Sequence, residues 1–227
     1  MKKLMMIISL MVAFSMMAAP AVMADTVITS GEWVYLYDYN HADGAGIMTY
    51  EVSNSKGGSI IGWYDTFCIQ DNVYITPNTW YPVASVSTTV GKFDSPPEAG
   101  TGPLAGAVDY LFYRYKSGAY DSWLTTQANQ TDFQELLWTL QKSGGPFTTL
   151  SGTPWANDLD SYNTTSSMHH SWGTEVINIA SDINSDGRFT GPDIQNQLYN
   201  QVPEPVTILL LGIGLIGVAG IRKKYKG

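Results

Sequence analysis

The stretch Trp33-Val-Tyr-Leu-Tyr-Asp-Tyr39 alternates aromatic and aliphatic side chains, the period-two pattern of a strand whose two faces meet different surroundings. Gly44-Ala-Gly46 interrupts it and Ile47 to Val52 resumes it, so the pair reads as a hairpin or meander. Gly57-Gly58 then turns the chain into Ile60 to Ile69, a further strand with Cys68 near its end. Val73 to Ile75 and Trp80 to Val86 continue in the same style around a Pro77-Asn78 turn.

Beyond these strands the period changes. Leu104, Val108, Leu111, Phe112 and Tyr115 recur at helical spacing, which predicts a helix from Thr101 to Tyr115 with Pro103 in its first turn. A second helix is predicted from Asp132 to Lys142, with Phe133, Leu136, Leu137 and Leu140 on one face, Thr131 as N-cap and Gly144-Gly145 at its end. A polar Ser/Thr-rich connection from Thr148 to Ser171, a strand from Glu175 to Ile179 and an acidic loop follow. The expected fold is mainly β with a small helical element: an antiparallel β-sandwich or barrel plus two helices, with a signal helix before it and a transmembrane helix after it.

Both ends carry processing signals. Lys2 and Lys3, the apolar run Leu4 to Met17 and small residues up to Ala24 have the order of a secretory signal peptide, residues 1–24, cut by signal peptidase after Ala24. At the other end Pro203-Glu204-Pro205 precedes an apolar segment, 206–221, followed by Arg222, Lys223, Lys224 and Lys226. That segment is a candidate membrane span whose basic end stays cytoplasmic. Gly212, Gly214, Gly217 and Gly220 weaken it as a helix, which suits a temporary anchor in the inner membrane. Residues 202–227 resemble the PEP-CTERM sorting signal of Gram-negative bacteria. The resemblance implies recognition by an exosortase, a membrane cysteine transpeptidase, with the tail removed near Pro-Glu-Pro, and a setting of exopolysaccharide production at the cell envelope, cell surface or extracellular matrix.

The secreted domain is expected at 25–201. Residues 1–24 and 206–227 hold 6 of the 12 basic residues and none of the 20 acidic ones, so Asp25 to Pro205 carries 6 basic against 20 acidic residues, a net −14. Such a surface repels phosphate backbones, which excludes nucleic acid as a partner and favours cations. Cys68 is the one cysteine, so no internal disulfide forms even in an oxidising compartment. Its thiol is buried and inert, paired between chains, or chemically committed.

The last of these has a specific form. Cys68 lies in Thr66-Phe-Cys-Ile-Gln70 and Gln134 in Phe133-Gln-Glu-Leu-Leu-Trp138. At 100° per residue Gln134 lies beside the apolar stripe of its helix, where its amide can reach an adjoining strand. A thiol held against that carboxamide can expel ammonia and leave an internal thioester, because proximity makes even an amide react. The two motifs resemble those of the thioester domains of bacterial surface adhesins, a likeness spanning Trp33 to Ile179. It implies covalent attachment to a surface amine or hydroxyl, with a single turnover and no cofactor required. Two plainer readings stand beside it: Cys68 as a buried strand cysteine, and Thr131-x-x-Gln134 as a helix capping box. Gln70 is too near Cys68 in sequence, and Gln141 lacks the flanking motif.

Three further constellations have chemistry. Asp182, Asn184, Asp186, the Arg188 carbonyl and Asp193, around Gly187, fit a calcium-loop template resembling EF-hand or dockerin loops, with Asp193 where Glu is usual; an Asx-rich surface turn is the alternative. His169 and His170 are candidates for the base of a cysteine hydrolase built on Cys68. Tyr35, Tyr37, Tyr39, Trp63 and Trp80 can stack on sugar rings, although strand aromatics more often fill a core. The expected function is that of an exported attachment protein acting through Cys68 and Gln134. A non-covalent exopolysaccharide-binding matrix protein and a cysteine hydrolase are the alternatives.

Overall fold

Alternate residues of the predicted strands turn to one side and build the core: Val34 and Leu36, then Met48, Tyr50 and Val52, then Tyr64, then Tyr81 and Val83, are all buried. The computed structural model describes residues 27–38, 46–70, 75–91, 102–143, 152–165, 171–185, 189–194 and 196–200. The signal peptide, Tyr39, the histidine pair and everything from 201 onward lie outside the described residues.

The main strands are β1 (Trp33–Asp38), β2 (Met48–Ser53), β3 (Ile60–Thr66), β4 (Trp80–Ser87), β7 (Thr174–Ile183), β8 (Phe189–Asp193) and β9 (Gln197–Asn200), with a two-stranded piece of β5 (Thr89–Val90) and β6 (Gly102–Pro103). The sheet order is β3-β2-β1-β4-β7-β8, with β9 also on β7, and every pairing is antiparallel. The sheet curls into a half-barrel until its ends touch. Leu198 N–H donates to Phe67 O at 3.0 Å and Ile69 N–H to Asn196 O at 2.9 Å, on either side of an isolated bridge between Cys68 and Gln197. One curled sheet therefore stands where a sandwich or barrel was expected. The Gly57 turn between β2 and β3 requires a φ of +68°, which glycine adopts without strain.

Among the described residues there are three helices, α1 (Gly106–Lys116), α2 (Gln127–Ser143) and α3 (Pro154–Thr164), one more than expected. Helix α1 starts later than predicted, because Pro103 belongs to β6, and Ser117 caps its end ahead of Gly118, whose φ is +81°. Helix α2 starts five residues earlier than predicted. Thr126 caps it by accepting Asn129 N–H at 3.3 Å, so Thr131 is an interior residue and the Thr131 to Gln134 capping box does not exist. Helix α3 occupies part of the expected polar connection. Its few apolar residues, Trp155 and Leu159, are buried, and Pro154 at its start fixes φ for the first turn.

A polar clamp holds α3 to α1. Tyr120 O–H donates to Asp158 Oδ2 at 2.7 Å, and Arg114 Nε–H donates to the same oxygen at 3.1 Å. Burial first, then the hydrogen bond to Asp158 and its charge, raise the Tyr120 phenol far above its ordinary value of 10.0. The folded domain thus keeps a proton that the unfolded chain releases above pH 10, so this stabilisation is complete below that pH and is lost as pH rises beyond it. In urea melts between about pH 9 and pH 11, Tyr120→Phe should lose stability with pH less steeply than the parent; equal slopes would refute the assignment.

Among the described residues no helix is long and apolar enough to cross a membrane; the candidate span at 206–221 is not one of them.

Candidate functional site

Where β2 begins, at the Met48 to Thr66 pair, the chain from Phe67 onward has β9 on one edge and, among the described residues, no strand on the other. The unpaired edge of Cys68 presents one N–H and one C=O, both of which must be satisfied once buried. The Gln134 side chain takes the place of the missing strand. Cys68 N–H donates to Gln134 Oε1 at 3.0 Å, and Gln134 Nε2 donates to Cys68 O at 2.5 Å. This pair of bonds also fixes which way round the carboxamide sits. The Cys68 thiol donates to the same Oε1 at 3.2 Å. Cysteine and glutamine are both fully buried.

The residues preceding this pair dock it. Phe67 and Phe133 meet edge to face at 5.1 Å, and Phe133 also packs on Tyr120 and Trp155, at 5.4 and 5.2 Å. Because Phe67 is adjacent to Cys68 and Phe133 to Gln134, this ring contact sets the rotation and height of α2 against the seam of the sheet.

The arrangement has three chemical features. The sulfur lies against a primary carboxamide. The Cys68 backbone N–H points at the carbonyl oxygen that would carry negative charge in an attack at Cδ, as a donor of an oxyanion site does. The nitrogen that would leave is the one bonded to Cys68 O.

The other glutamines have different work. Gln70 Oε1 accepts Asn196 N–H at 3.0 Å, and Gln141 spans the chain between Pro103 and Ala105, accepting Ala105 N–H at 2.9 Å and donating to Pro103 O at 3.1 Å. Neither carboxamide is bonded to the Cys68 backbone as Gln134 is. Three of the five candidate calcium residues fall among the described residues. Asp182 is exposed on β7 opposite Thr190, Asn184 is exposed beyond it, and Asp193 is on β8 opposite Ala180. Asp186 and Arg188 lie outside the described residues. Strands, not helices, flank this loop, because the β7 and β8 ladder continues to the Ile183 and Phe189 pair. Among the described residues no group of three or more His, Cys, Asp or Glu is placed to hold a metal ion. The seam itself, with β9 as a bonding partner of residues 66–69, was not read from the sequence; the short apolar pair Leu198-Tyr199 is its only local signal.

Residues 201–224 match the PEP-CTERM protein-sorting motif. Comparison with curated proteins and with solved structures returns no match. The motif match makes this an exported protein of the cell envelope that is sorted by an exosortase.

Proposed function

We propose that the exported domain attaches covalently to its target through a thioester between Cys68 and Gln134. The observation that supports this reading is the three-point contact of the Gln134 carboxamide with the Cys68 N–H, carbonyl and thiol. In the forming step the sulfur attacks Cδ of Gln134 while Oε1 gathers charge against the Cys68 N–H. The Cδ–Nε2 bond then breaks, and the nitrogen leaves as ammonia with the thiol proton. An amine of the target next attacks Cδ, the carbon–sulfur bond breaks, and the thiol is restored as an amide joins target to Gln134. A hydroxyl gives an ester by the same route. Each molecule acts once, as an acylating adhesin without turnover.

Before that, signal peptidase cuts after Ala24, and the segment 206–221 holds the chain in the inner membrane until the exosortase acts near Pro203, Glu204 and Pro205. The target chemistry is a surface or polysaccharide amine or hydroxyl.

Intact mass tests the mechanism. The folded mature domain is expected to be lighter than its sequence by one ammonia, about 17 Da, and methylamine is expected to add to it with release of one thiol. Methylamine is the probe because it is the smallest primary amine and has the nucleophile chemistry proposed for the target. Cys68→Ala should abolish both changes, whereas Gln141→Ala should leave them. A folded domain of unmodified mass that ignores methylamine would overturn the proposal.

A further inference from the structure

A second set of strand aromatics lies outside the core. Trp33, Tyr35 and Tyr37 alternate with buried Val34 and Leu36, so they lie on the outer face of β1; Tyr37 is 58% exposed. Trp63 on β3 and Trp80 on β4 are half-buried on the same face. The rings touch one another: Tyr37 and Trp63 edge to face at 4.9 Å, Tyr35 and Trp80 tilted at 5.1 Å. In register, Trp63, Glu51, Tyr35 and Trp80 form one row across β3, β2, β1 and β4, a span of about 14 Å at the usual strand spacing. Beside that row lies Asp65, whose carboxylate accepts the Thr49 hydroxyl at 2.6 Å. The face also provides its own example of a cation on a ring, with Lys56 Nζ 5.4 Å above Trp33.

Partly exposed rings that touch one another across an outer sheet face make a stiff surface that loses little freedom when a ligand stacks on it. Charge selects its occupant. The span Asp25 to Pro205 carries a net −14, and Glu51 and Asp65 stand among the rings, so a second copy of this chain or an acidic polymer is repelled and a cationic one is drawn in. Spacing selects further. Ring stations one or two strands apart, about 5–10 Å, suit a polymer that repeats a flat unit, so that C–H faces stack on the rings while ammonium groups meet carboxylates and aromatic faces. A lysine-rich peptide offers the charge without the flat repeat. We propose that the outer face of β1 to β4 binds a polysaccharide of protonated amino sugars. The surface is separate from the Cys68 and Gln134 contact, and the proposal does not depend on the thioester.

Tryptophan fluorescence titration of the exported chain tests it, with a β-linked glucosamine hexamer, its N-acetylated counterpart, a galacturonate hexamer and hexalysine as probes. The glucosamine hexamer should bind, and Trp63→Ala and Tyr37→Ala should each weaken it about tenfold. Glu51→Gln should weaken it and flatten its salt dependence, while the acetylated and acidic hexamers should bind at least about tenfold more weakly. Cys68→Ala should bind like the parent, whatever its mass analysis shows. Hexalysine binding as tightly as the glucosamine hexamer would replace the glycan with a cationic peptide. Unchanged affinity in folded Trp63→Ala and Tyr37→Ala, or equal affinity for galacturonate, would remove the site.

Discussion

Gln134→Glu, introduced into a Cys68→Ala background so that no thioester intervenes, is expected to cost about 3–5 kcal/mol of stability at pH 7. Glutamate keeps the shape of the side chain but offers a second oxygen, with no proton, to the Cys68 carbonyl that Nε2 now bonds at 2.5 Å. The new carboxylate would be fully buried at a position where its neighbours already present a carbonyl. It should respond by holding its proton to a higher pH than a free glutamate does, so the folded-state value exceeds the unfolded one. The sign follows from linkage: the protonated acid can donate to Cys68 O, stability is largely recovered at low pH, and it is lost as pH rises toward 7. Relative to the domain with its carboxamide intact, Cys68→Ala alone should cost only about 1–2 kcal/mol, because both backbone bonds to the carboxamide survive. Urea midpoints at pH 4.5 and pH 7 measure the difference. A double variant as stable at pH 7 as its Cys68→Ala parent would show that the carboxamide is not holding the strand edge.

Trp155→Ala is the second large effect expected, about 3–5 kcal/mol for loss of a fully buried indole. For a domain of this size that lowers Tm by roughly 6–20 °C. Trp155 packs against Phe133, Tyr120 and Trp123 at 5.2, 6.0 and 6.3 Å, so its removal loosens the bed of the very ring that positions Gln134. Trp155→Phe should be far milder. The indole N–H is buried and has no hydrogen-bond partner among the described residues, so phenylalanine gives up ring area while removing an unsatisfied donor. Thermal melts of the two variants decide this, and a phenylalanine variant as damaged as the alanine one would mean that the N–H has a partner.

Helix α3 also shows where the sequence was hard to interpret. Its polar residues outnumber the two that are buried, Trp155 and Leu159, and a helix lying on the outside of α1 and α2 needs only that narrow strip. The strands β1 to β4 were legible because each alternates over several residues and only one face is covered. The alternation did not say which face the aromatics take. Trp63 and Tyr35 look like core residues by type, yet it is Val34, Leu36 and Val52 together with Tyr50, Tyr64 and Tyr81 that fill the concave side. The pairing of Cys68 with Gln134 was legible from the helix face of Gln134 and the solitary cysteine. What was not legible was why they meet: β2 begins only at Met48 while the neighbouring chain runs on, a length mismatch between strands that no local pattern records. Helix α2 was placed but entered too late, since Thr131 has the residue type of a cap and Thr126 has the geometry.

Strand β9 is bonded on one edge to β7 and on the other to the chain around Cys68, and it is the last described strand before the sorting tail. Tension applied from residue 201 would run lengthwise through β9, so the bonds on both flanks would have to slip together instead of unzipping one at a time. Were a target joined at Gln134, the pull from the cell and the pull from the target would converge within one strand width of each other. The remainder of the half-barrel would then be spared the strain.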